Sequence, residues 1–314
     1  MKVDKQLKRT VRAAFAQGFA DGGPPDLSQG KLADWIFIVD DMILRGELEV
    51  AAYAVRSIRE LWPDLTWGNN VGELLAQMPR HDPDAPEFVD NTPRSLQVVR
   101  REGANTVMLV FCGAKNQVGM PLPMLHRWLS RTGVSLIYLR DRSERAYLGG
   151  VRGAGPDLAS TITGLKALIQ DLGARRVVCY GNSIGGYGAL RYGAELGADA
   201  VLSMAGIVNL QTRFNTGLHY EDSARKMEAT FPGQQLDNRE VYLSSGARPS
   251  TLMVYGEHNW DDRIHAEHMA GIEGVALMQI DDSKNHNVAA ELIRSGRFDD
   301  LLRQAAGAPA GAMA

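Results

Sequence analysis

Val177-Val178-Cys179-Tyr180-Gly181-Asn182-Ser183-Ile184-Gly185-Gly186-Tyr187-Gly188-Ala189-Leu190 is the stretch on which the fold turns. A short apolar run, the mark of a buried strand, stops at Gly181. Ser183 follows, then two glycines, then a segment of helical character. This reads as strand, sharp turn and helix, with a serine at the apex. So tight a turn strains the serine backbone and leaves room only for very small neighbours, and Gly181 and Gly185 meet that need. The new helix points its first backbone N–H groups toward the serine oxygen, where negative charge would build in acyl transfer. Gly-x-Ser-x-Gly alone is weak evidence. With 33 glycines in 314 residues, chance gives the pattern in about one shuffled chain in six. The strand before it and the helix after it carry the reading.

Outward from this turn, short apolar runs alternate with helical patterns. The runs lie at 107–112, 134–139, 176–180, 200–204, 251–256 and 275–280, with an earlier strand at 96–100. Helical stretches at 157–172, 184–196 and 263–271 fall between them. Continuous β-branched runs separated by helices imply an α/β fold: a mostly parallel sheet with helices on both faces. One interval, 207–249, is long, polar and irregular, and reads as a lid-like insertion.

The first 90 residues have a different texture. Apolar residues recur at helical spacing over 32–45, Gly46 interrupts, and 47–61 resumes the pattern until Trp62-Pro63-Asp64. This predicts a helical hairpin in a small all-helical N-terminal module, similar to one tetratricopeptide-type unit. A lone unit of that kind must pack on something. It is expected to cap the following domain, with a protein contact or homo-oligomer through these helices as the other expectation. Pro79, Pro83, Pro86 and Pro93, with Asp82, Asp84, Glu87 and Asp90, read as an irregular linker. The boundary therefore falls near 90, with the module and linker at 1–90 and an α/β domain at 91–314.

Net charge is −3, which favours neither nucleic acid nor an anionic membrane. No run is long enough to cross a bilayer, and the N-terminus lacks the apolar core of a secretory signal. A cytoplasmic protein is expected. Cys112 and Cys179 sit in apolar runs and read as buried thiols. No cofactor or metal is expected. His258, Asp261, His265 and His268 crowd one region, but they read as a helix beside a loop rather than a zinc site.

Residues 95–306 resemble the α/β-hydrolase superfamily in three features. They are the elbow at 181–186, an acidic loop after Leu252-Met253-Val254-Tyr255-Gly256, and a histidine loop, Asp281-Asp282-Ser283-Lys284-Asn285-His286-Asn287-Val288. Their chain order is nucleophile, acid, histidine, as in that superfamily. The resemblance implies a serine hydrolase that cleaves a carboxylic ester through an acyl-enzyme, with Ser183 as nucleophile and His286 as base. Many members carry the acid three residues after the glycine, where this chain has Asn259. Asp262 is the expected acid, Asp261 the alternative and Glu257 a third. Asp262 also suits a helix N-cap. The resemblance implies an oxyanion hole from the backbone N–H groups of Ile184 and Ala114, with Lys115 as a further candidate for the second. Arg140, Arg142 and Arg145 follow one strand and read as a solvated turn, or else as contacts for an anionic substrate. The polar insertion, with Arg213, His219, Tyr220, Arg225, Lys226 and Arg239, suits a small polar ester better than a long acyl chain. The alternatives are an acyltransferase using the same triad and a non-catalytic binding protein that keeps the fold.

Overall fold

Residues 3–28, 30–86, 88–91, 93–246 and 248–307 are described in this computed structural model. They divide into two units.

The first unit takes in the described residues of 1–83, 87–90 and 120–128. Its helices are α1 (Lys5–Asp21), α2 (Leu32–Leu44), α3 (Leu48–Leu61), α4 (Thr66–Gln77) and all but the last residue of α5 (Leu122–Leu129). The predicted hairpin is α2 and α3, joined at Gly46, whose φ of 80° is open to glycine at little cost. Ile38, Val39 and Met42 of α2 and Ala51, Ala54, Val55 and Ile58 of α3 are fully buried.

The hairpin expectation was too small, because α1 and α4 also pack on α3. In α1 the apolar stripe is narrow: Val11 and Phe15 are buried among lysines and arginines. In α4, Gly68 and Gly72 weaken the helical signal. They have a packing purpose, since a Cβ on Gly72 would press on Arg59 and Val55. No described helix is long and apolar enough to cross a membrane.

The second unit holds a seven-stranded sheet. Its strands are β1 (Leu96–Val99), β2 (Thr106–Phe111), β3 (Ser135–Leu139), β4 (Arg176–Asn182), β5 (Ala200–Met204), β6 (Ser250–Gly256) and β7 (Val275–Ile280). Their order is β1-β3-β2-β4-β5-β6-β7. Only β1 runs antiparallel, against β3. The sequence runs match these strands closely because β3 and β5 are buried at every position and β2 at all but its first. A sheet covered on both faces cannot alternate apolar with polar.

The remaining helices are α6 (Leu158–Asp171), α7 (Ile184–Leu196), α8 (Thr212–Asn215), α9 (Glu221–Thr230), α10 (Asn238–Ser244), α11 (Trp260–His268), α12 (Val288–Arg294) and α13 (Phe298–Ala306). On one face Leu109, Phe111, Ile137, Cys179, Val201 and Met253 form a core with residues of α6, α7 and α11. On the other, Tyr180 meets Phe298 of α13 edge-on at 6.4 Å. This is the α/β-hydrolase architecture.

The 207–249 interval is more ordered than its sequence suggests, carrying α8 to α10. Ile207, Leu210, Met227 and Leu236 pack with Tyr187 of α7 and with Ala146 and Leu148. Arg191 donates to the Gln235 carbonyl and Asn238 to the Tyr187 carbonyl. Arg213, Arg225 and Lys226 remain at the surface.

Candidate active site

In a parallel sheet, loops leaving the carboxyl ends of the strands share one rim. Ser183 leaves β4, the acidic loop leaves β6 and the histidine loop leaves β7.

Ser183 has φ 56° and ψ −125°. A non-glycine residue held there stores strain on the order of 1–3 kcal/mol, so its surroundings must over-determine it. They do. Its N–H donates to the Met204 carbonyl at 2.9 Å, and its carbonyl accepts from Gly186 at 2.8 Å and Ile207 at 3.3 Å. A Cβ on Gly181 would strike the Gly185 carbonyl, and one on Gly185 the Phe111 carbonyl. The glycines are therefore imposed by backbone meeting backbone.

The loop after β2 passes directly over this turn. A Cβ on Gly113 would lie 3.5 Å from Ser183 Cβ. The loop is closed by Gly113 N–H donating to the Gln117 carbonyl at 2.6 Å. Lys115 and Asn116 both have φ of 58°. Ile184 opens α7 and Ala114 opens this short turn. Among the described residues, the backbone N–H groups of Ile184 and Ala114 have no acceptor.

Of the three candidate acids, only Asp262 meets His286. Both carboxylate oxygens lie 2.9 Å from His286 Nδ1. Asp262 is 3% exposed. Asp261 instead accepts from the His219 N–H at 3.1 Å, and Glu257 from the Asp282 N–H at 2.9 Å. The N-cap reading of Asp262 needs correction. Asn259 is the cap of α11, and its side chain accepts from the Asp262 N–H at 3.2 Å. The uncharged residue at the family's acid position thus starts a helix whose first turn carries the acid inward.

Burial raises the carboxyl of Asp262, while His286 pulls it the other way. The hydrogen bond to Asp262 raises the imidazole of His286. That bond fixes the proton on Nδ1 and leaves the Nε2 lone pair to accept one.

Asn182 and Asn287, the residues beside Ser183 and His286, converge on one glycine. Asn287 Nδ2 donates to the Gly119 carbonyl. A Cβ on Gly119 would lie 2.6 Å from Asn287 Oδ1 and 3.6 Å from Asn182 Nδ2. Asn287 also caps α12 through the Ala290 N–H. The β4 and β7 loops therefore come together across the intervening β2 loop.

Sequence reasoning gave Tyr220 no role at the site. It lies beside Ser183 in the cleft, and burial pushes its phenol up to about 12, with Asp262 and Asp261 adding to the rise. The bond from the preceding residue to Asp261 ties this stretch to the acid loop. Tyr220, Ser183, Ile184, Ile207, Leu210 and Met227 help line a cleft of about 560 Å³. Ile207, Leu210, Tyr220 and Met227 of the insertion face the cleft, while Arg213, Arg225 and Lys226 lie at the surface. Nothing in the local sequence marks Tyr220, because its placement depends on how the insertion folds back.

The crowded histidines part company. His265 is buried, accepts from the Val208 N–H at 3.2 Å, and is pushed down to about 3 by burial. His268 pairs with Asp237 at 2.8 Å. His258 lies near Glu257 and Asp282. Cys112 and Cys179 are buried and form no disulfide among the described residues.

The chain is similar to the solved structure of an S-formylglutathione hydrolase from Agrobacterium tumefaciens, at 18% identity, 68% of this chain, 88% of that one and TM-score 0.45. It is similar to the fluorophosphonate-binding serine hydrolase F of Staphylococcus aureus, at 13%, 71%, 96% and 0.47. It is also similar to the capsule O-acetyltransferase of Neisseria meningitidis serogroup A, at 13%, 73%, 99% and 0.48. No family model and no curated protein matches. Likenesses this distant carry no assignment of activity.

Proposed function

We propose that this α/β-hydrolase-fold chain is a serine hydrolase that cleaves a carboxylic ester through an acyl-enzyme. The observation that carries the reading is the buried Asp262 holding His286 Nδ1 with both oxygens, on the sheet rim that bears the strained Ser183. A serine hydroxyl is a poor nucleophile until a base takes its proton, and a neutral imidazole with a fixed tautomer is such a base.

In this reading, Ser183 Oγ attacks the ester carbonyl carbon and its proton passes to His286 Nε2. The unpaired N–H groups of Ile184 and Ala114 receive the charge on the carbonyl oxygen. Asp262 stabilises the imidazolium without taking the proton. The proton then goes to the departing alcohol oxygen. Water, activated by the same histidine, releases the acid and frees Ser183. Tyr220 lines the cleft beside Ser183. An alcohol in place of water turns the same steps into acyl transfer. The substrate is a small molecule and the enzyme is cytoplasmic, where Cys112 and Cys179 stay reduced.

The test is labelling with a fluorophosphonate probe, followed by peptide mass spectrometry. Wild type and His258→Ala should carry the adduct on Ser183, and Ser183→Ala and His286→Ala should carry none. An unlabelled, folded wild type would favour the non-catalytic binding protein.

A further inference from the structure

A long loop joins β3 to α6. Arg140, Arg142 and Arg152 line a second cleft of about 580 Å³, with Ser95, Ser143 and a run of glycines that includes Gly149 and Gly153. No carboxylate lines it among the described residues. Arg142 and Arg152 make no ion pair among the described residues, in a chain whose net charge is −3. Arg140 is fully buried, with Nη1 donating to the Arg94 carbonyl. Arg142 also lines the cleft that contains Ser183, so the two cavities share a wall.

The loop is strained. Glu144, Ala146 and Tyr147 have φ of 54°, 51° and 66°. Strain of this kind persists only where the surroundings hold it, and it concentrates at functional sites. Here Asp141 accepts from the Tyr147 N–H at 2.9 Å and from the Ser143 N–H and hydroxyl. The one acid between Arg140 and Arg142 is thereby turned into the loop's own backbone. The Tyr147 hydroxyl lies 2.7 Å from the Cys112 carbonyl, which ties the loop to the start of the β2 loop. A Cβ on Gly150 would lie 2.5 Å from the Asp157 N, and one on Gly155 would strike the Thr161 N. The arginines are thus presented by a pre-set loop, with few side chains between them and the cavity floor.

Planar guanidinium groups pair two-pronged with phosphate or carboxylate oxygens, which a lysine cannot do. We propose that this cleft binds an anionic group, phosphate or carboxylate, carried by the ester whose carbonyl sits at Ser183. The inference rests on the serine hydrolase reading for the reaction, and on its own residues for anion binding.

The test compares 4-nitrophenyl butyrate with two charged counterparts, mono-4-nitrophenyl glutarate and 4-nitrophenyl 3-phosphonopropionate. Wild type should favour at least one charged ester, and which one separates carboxylate from phosphate chemistry. In the Arg142→Ala/Arg152→Ala double variant, the ratio of kcat/KM for that ester to kcat/KM for the neutral one should fall by about tenfold or more. Arg145→Ala, in the same loop but lining neither cleft, should change neither. Equal treatment of all three esters by wild type, or an equal loss on neutral and charged esters in the double variant, overturns the proposal. Calorimetry of inorganic phosphate with Ser183→Ala, with and without the two arginines, reads anion binding without catalysis. Binding lost with the arginines supports the site even if no ester is hydrolysed. Binding unchanged, or absent from both proteins, overturns it.

Discussion

The elbow at Ser183 and the insertion beginning at Ile207 both line one cleft, yet they are built in opposite ways. The elbow is a backbone device. Its strain is held by main-chain hydrogen bonds to β5 and by glycines that leave no room for a Cβ. The insertion is a side-chain device, seated by a few apolar residues on α7 and placing Tyr220 by tertiary packing. A backbone device leaves a local spelling in the sequence, and a tertiary one does not.

The largest test of this contrast lies between two neighbouring acids. Asp262→Asn should lower kcat by about 10⁴, as loss of the orienting carboxylate does in a triad, while Asp261→Asn should cost less than about tenfold. The pH profile sharpens the point. His286 must be neutral to act, and Asp262 raises its pKa. Activity should therefore fall as pH drops through a value above the ordinary 6.5. In Asp262→Asn the cause of the rise is gone, so the acid limb should move to lower pH. An unmoved limb would mean that another group governs it.

Next comes the elbow backbone. Gly185→Ala drives a methyl into the Phe111 carbonyl and should cost about 3 kcal/mol or more in denaturant unfolding. In the insertion, Gly217 has φ 77° and nothing near its missing Cβ, so Gly217→Ala should cost only about 1 kcal/mol. Similar costs at both sites would erase the distinction. In between lies Tyr220→Phe, which removes a hydroxyl from the cleft beside Ser183. It should lower kcat by about 10- to 100-fold with KM nearly unchanged. A change confined to KM would make Tyr220 a substrate contact only.

What was legible in the sequence follows the same division. The strands could be read because a doubly covered parallel sheet demands unbroken apolar runs, and Ser183 and His286 because each follows such a run. The choice among Glu257, Asp261 and Asp262 could not be made from sequence. It depends on the helical turn capped by Asn259, which swings one acid inward and leaves its neighbour facing His219. Tyr220 and the meeting of Asn182 and Asn287 over Gly119 join residues far apart in the chain, with no local signature. In the helical unit, α1 and α4 escaped notice because a thin apolar stripe and two glycines dilute the periodicity.

The most direct measurement is a crystal structure of the protein after reaction with a fluorophosphonate. Phosphorus should be bonded to Ser183 Oγ, with its oxygen about 3 Å from the N–H groups of Ala114 and Ile184. His286 Nε2 should lie within about 3.5 Å of Ser183 Oγ. A phosphonylated Ser183 with the His286 ring turned away and bonded elsewhere, or an adduct on another residue, would contradict it.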